Sequence, residues 1–68
     1  MRLEDLTAGK NDNDFASVEG CEVPVSALKR LQGDGYERIQ PYTENRTFSV
    51  WGKNCTACFT EDQLRTMG

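Results

Sequence analysis

RTFSVWGKNCTACFTEDQL, residues 46–64, is the stretch on whose reading the fold turns. Two runs rich in aromatic and β-branched residues, RTFSVW and TACFT, flank the turn-prone Gly52-Lys53-Asn54. Alternation along the first run sends Phe48 and Val50 to one face of a strand and Thr47, Ser49 and Trp51 to the other. The second run leads into Thr60-Glu61-Asp62-Gln63, a capping box in which the Gln63 side chain reaches back to the threonine N–H. The box opens a helical turn or two, TEDQLRTMG, with Leu64 and Met67 facing inward.

The same stretch holds Cys55-Thr56-Ala57-Cys58, a C-x-x-C spacing that raises zinc or redox chemistry. Structural zinc takes four ligands, and the chain has three cysteines (Cys21, Cys55 and Cys58) and no histidine. A redox pair needs its first cysteine at a helix N-terminus, whereas the cap here falls two residues beyond the second. If residues 56–59 are extended, residues three apart also have opposite parity and point to opposite faces. We therefore expect packing cysteines, with one near Phe59 in the core and the other at the sheet surface or a turn. No metal and no cofactor are expected.

Upstream, YERIQPYT pairs with RTFSVW across Glu44-Asn45. The three runs predict an antiparallel meander near 36–41, 46–51 and 56–59. Pro41 requires that the first strand end there or lie on an edge. Before it, Pro24 introduces VSALKRLQ, in which Val25, Leu28 and Leu31 share a face and Gly33 follows; this predicts a helix over 25–32. Phe15, Val18, Cys21 and Val23 fit neither period, and Gly20 opposes a helix interior, so a single strand near 16–23 is expected. Residues 8–14, AGKNDND, read as a loop, and the residues before them as a short strand or part of a loose acidic arm spanning 1–14. The expected fold class is α+β in the order β-α-β-β-β-α. Its sheet is small and antiparallel, of three to four strands, with one short packed helix and a short C-terminal one.

Sixty-eight residues amount to a single small domain, 1–68, which buries only about 60% of its unfolded surface. The N-terminus is acidic within five residues and has no apolar run, and no stretch is apolar enough to span a membrane. With an odd cysteine count besides, the chain reads as cytoplasmic, without a disulfide staple. The absence of histidine removes the usual general base and any Ser-His or Cys-His nucleophile pair. No Gly-rich phosphate loop is present either, so no catalytic residue is proposed and the chain is expected not to be an enzyme. Asn11-Asp12-Asn13-Asp14 begins like a calcium loop but lacks its glycine and its final glutamate, so a solvated turn is expected.

The formal net charge of −3 is unevenly spread. Residues 1–22 carry six acids against Arg2 and Lys10, whereas residues 29–53 carry five bases against three acids. Tyr36, Tyr42, Trp51, Arg38 and Arg46 are the residue types enriched at interface hot spots. Asp12, Asp14, Glu19 and Glu22 would steer the chain toward a basic partner. Parity puts Trp51 opposite Phe48 and Val50, either on an exposed sheet face or over a second small core beneath the acidic segment. The expected function is that of a non-enzymatic protein-binding module. It would be an accessory regulator or inhibitor of the kind phages and mobile elements carry, acting by direct binding to a host protein. Self-association into a homo-oligomer is compatible with this. The alternative is a winged-helix-like nucleic-acid binder, with Lys29, Arg30, Arg38, Arg46 and Lys53 facing phosphates. The short helix, the missing earlier helix and the acidic N-terminal third disfavour it.

Overall fold

In the computed structural model, which describes residues 1–42 and 44–68, eight elements follow in chain order. They are α1 (Leu3–Thr7), β1 (Phe15–Val18), β2 (Cys21–Pro24), α2 (Val25–Gly33), β3 (Tyr36–Tyr42), β4 (Thr47–Gly52), β5 (Thr56–Thr60) and α3 (Glu61–Met67). The fold is a small α+β arrangement with a two-stranded antiparallel sheet, β1-β2, and a three-stranded one, β3-β4-β5.

The meander follows the alternation in its sequence. Ile39, Val50 and Ala57 stand side by side across the three strands, as do Pro41, Phe48 and Phe59. Ile39, Phe48 and Val50 are at most 2% exposed, so this is the face turned to the core. β3 runs through Pro41 to Tyr42 because it is an edge strand. Pro41 has the parity of Ile39, whose N–H points away from β4 to the Met1 carbonyl at 2.9 Å, so the missing proline donor falls on the outer edge. At the other end of the sheet the capping box is fully made. Thr60 Oγ1 accepts from the Gln63 N–H at 3.1 Å, and Gln63 Oε1 accepts from the Thr60 N–H at 2.8 Å.

The N-terminal half departs from expectation in three places. Residues 16–23 are not one strand but a hairpin. Glu19 and Gly20, with φ of 48° and 87°, form a two-residue turn with both angles positive, the geometry that matches strand twist. That reversal is why Phe15, Val18, Cys21 and Val23 fit no single period. Ala16, Val18 and Val23 face inward, and Phe15 faces out at 56% exposure.

Residues 3–7, expected as a short strand or loose arm, form α1. Glu4 and Asp5 in its first turn suit the helix dipole, and Thr7 Oγ1 donates to the Leu3 carbonyl at 3.1 Å. Leu3 is fully buried, and residues 1 and 2 lie extended along β3 through a bridge between Arg2 and Arg38.

The helix after Pro24 extends one residue past its predicted end. Gly33 is its last residue, Asp34 caps it, and the left-handed position belongs to Gly35 with φ of 103°. Val25, Leu28 and Leu31 are buried as the spacing requires, joined by Ala27.

The main strand contacts of each helix reach both sheets: α1 meets β1 and β3, α2 meets β2 and β3, and α3 meets β2 and β5. The helices thus bridge the hairpin and the meander, and their apolar sides close one core around Leu3, Leu28, Leu31, Phe48 and Leu64. Among the described residues no helix is long and apolar enough to cross a membrane.

Candidate binding face

The side of the meander turned away from the helices is built by the opposite parity. Arg38, Gln40 and Tyr42 come from β3, Thr47, Ser49 and Trp51 from β4, and Thr56, Cys58 and Thr60 from β5. Paired residues share a face, so Arg38, Trp51 and Thr56 make a row across the sheet. The bridge from Arg2 to Arg38 extends that row by one residue, so that it reads Arg2, Arg38, Trp51, Thr56.

Arg2 and Arg38 are like charges directly opposite one another, which disfavours the pairing. Arg2 Nη1 meets Glu4 Oε1 at 3.4 Å, but both side chains are more than half exposed, so the contact contributes little. Trp51 is half-buried on this face rather than enclosed in a second core. Tyr42 lies on the same face at 52% exposure, four residues from Trp51 in register and therefore about 13 Å away along the strands. Arg46, at φ of 50°, and Lys53 stand in the turns at either end of β4, both exposed. The face therefore has an aromatic at each end, Trp51 and Tyr42, a polar middle row of Gln40, Ser49 and Cys58, and a predominantly cationic rim.

The remaining residues singled out in the sequence lie elsewhere. Tyr36 has core-side parity and packs edge-to-face on Phe59, with ring centroids 6.4 Å apart and planes at 87°. Its rim also lines an open cleft of about 340 Å³ with Arg2, Glu4, Gln32, Glu37 and Arg38. Asp12 is paired with Lys29 Nζ at 2.9 Å, and Asp14 Oδ2 accepts from the Asn11 N–H at 3.0 Å, closing the loop ahead of β1. Glu19 occupies the hairpin tip, and Glu22 lies opposite Ser17 on the hairpin's exposed side. The four acids thus belong to the hairpin and its approach, not to the meander that carries Trp51.

Cys55 is half-buried, and its Sγ would stand 3.3 Å from a Cβ placed on Gly52; Cys58 is exposed on the outer face of β5. Among the described residues no three His, Cys, Asp or Glu side chains converge on a point. What the sequence reading missed in this face is Arg2. A contact between the first residues and β3 leaves no local pattern, so no sequence signal marks it.

No family model matches the chain, and no curated protein or solved structure matches it significantly.

Proposed function

We propose that this chain is a small non-enzymatic protein-binding module, acting as an accessory regulator or inhibitor, that docks through the outer face of the meander onto an acidic patch of a partner protein. The observation that carries the reading is the row Arg2, Arg38, Trp51, in which a large aromatic stands beside two like charges placed directly opposite each other. Tryptophan and arginine are the residues in which interface energy concentrates, and a carboxylate from a partner relieves the arginine repulsion while pairing bidentately. The rim charges at Arg46 and Lys53 extend the same sign, so the contact surface itself calls for an acidic partner. This differs from the basic partner that Asp12, Asp14, Glu19 and Glu22 suggest in sequence, since those side chains belong to the hairpin end.

Affinity capture from the native host with wild-type chain, Trp51→Ala, Arg38→Glu and the hairpin control Phe15→Ala tests the proposal. The expected result is a partner retained by wild type and Phe15→Ala, lost by the other two, and released as salt rises. Retention by both Trp51→Ala and Arg38→Glu would overturn it.

The second reading, nucleic-acid binding, is favoured by one feature of the same face: two separated aromatics flanked by cations form a stacking platform for single strands. Its winged-helix form has less support, because a hairpin precedes α2 and Lys29 is engaged by Asp12 and by the Lys10 carbonyl. A salt series with a single-stranded oligonucleotide separates the two readings. Tight binding with a steep salt slope, lost on Trp51→Ala, would replace the protein partner with a nucleic acid.

A further inference from the structure

The meander has two edges, and the chain treats them differently. At the β3 edge, the Ile39 N–H donates to the Met1 carbonyl at 2.9 Å and the Ile39 carbonyl accepts from the Met1 nitrogen at 3.1 Å. At the β5 edge, the phase of the ladder follows from one bond. The Gly52 N–H donates to the Cys55 carbonyl at 2.8 Å, which makes that pair hydrogen-bonded. Antiparallel pairs alternate, so Ala57 and Phe59 exchange bonds with β4, while Thr56, Cys58 and Thr60 direct their backbone groups outward. The Thr60 N–H provides an independent check, since it is taken not by β4 but by Gln63 Oε1 at 2.8 Å. Among the described residues the backbone groups of Thr56 and Cys58 have no partner and face the edge.

Edge strands that avoid association carry charge, proline or a bulge. β3 has Glu37, Arg38, Pro41 and a bulge, but residues 55–60, CTACFT, contain no charge and no proline. We infer that β5 is a self-association strand, on which a second copy of this chain pairs antiparallel about a two-fold axis at Cys58. The strand is complementary to itself in that register. Ala57 stands opposite the partner's Phe59 on the core side, small against large, and Thr56 opposite the partner's Thr60 on the outer side. The central pair exchanges two backbone bonds, and its Cα atoms lie about 5.5 Å apart, inside the Cα range of a disulfide. A hydrogen-bonded pair holds its Cβ atoms wider than a relaxed disulfide does, so oxidation requires a small local shift. This inference does not depend on the partner protein proposed above.

Sedimentation over a dilution series and diamide oxidation together test it. In the oxidation two thiols give up two protons and two electrons to diamide, which is reduced to the hydrazine as the disulfide forms. Wild type is expected to approach the mass of two chains with rising concentration, and diamide should link it covalently. The link should persist in Cys21→Ser and Cys55→Ser and vanish in Cys58→Ser, which should still pair in sedimentation. Cys58→Pro deletes a donor unused among the described residues, and Cys58→Lys opposes two like charges; both should be folded monomers. Trp51→Ala should associate as wild type does. A single-chain mass at every concentration would overturn the inference. So would a dimer that survives in folded Cys58→Pro and Cys58→Lys, or a diamide link running through Cys21 or Cys55.

Discussion

The carbonyl of Gly35 lies against the Cα of Gly52, so that a Cβ on Gly52 would overlap the carbonyl oxygen. This backbone contact joins the turn after α2 to the end of β4, with Cys55 Sγ filling the space beside it. Gly52 does not stand out in sequence, since Gly52-Lys53-Asn54 reads simply as a turn. Gly52→Ala should cost about 1–3 kcal/mol, the usual effect of overpacking a site that cannot relax. Gly33→Ala is the matched control: nothing lies within 4 Å of its Cβ position, it is helical, and it should be neutral or stabilising by up to about 1 kcal/mol. Urea unfolding of the two variants reads the contrast directly.

Leu3 distinguishes an anchored N-terminus from a loose arm. Its side chain is 0% exposed and belongs to the central core. Leu3→Ala should therefore destabilise the chain by about 2–5 kcal/mol, as for a core leucine, whereas a residue in a free arm would cost almost nothing. Amide exchange at Ile39, whose N–H is held by the Met1 carbonyl, should accelerate in the same variant.

Glu19 holds a positive φ of 48° at the hairpin tip, a conformation that asparagine tolerates better than glutamate. Glu19→Asn should raise stability by about 0.5–1 kcal/mol. Glu19→Gln, which removes the charge but keeps the strain, should leave it unchanged. Thermal melts at low and high salt separate the backbone effect from charge.

The capping box at Thr60 and Gln63 couples β5 to α3. Thr60→Ala should cost about 1 kcal/mol and fray the last helix. Because the two bonds are reciprocal, adding Gln63→Ala should cost less than the sum of the two single changes, which a double-mutant cycle measures.

The elements legible in the sequence are those whose signals are local and dense. Alternation through Phe48, Val50 and Trp51, the Pro24 boundary of α2, and the Thr60 cap each lie within a few residues, and each predicted its element to within a residue or two. The hairpin was missed because Glu-Gly is a weak turn signal beside Asn-Gly or Asp-Gly, so two inward-facing pairs merged into one aperiodic run. α1 was missed because five residues with two leucines make no periodic pattern, and so short a helix is held only by what it packs on.

By itself the sequence determined the class of structure, the parity that puts Trp51 opposite the core, and the opposite faces of the C-x-x-C cysteines, because strand alternation is a property of the local backbone. Only the tertiary structure decided which charges surround Trp51. It brought Arg2 into register with Arg38 and carried the acids to the hairpin and its approach. Those neighbours come from pairing between distant segments, and that pairing is set by burial of Leu3 and by the backbone bonds at Ile39, which no local pattern encodes.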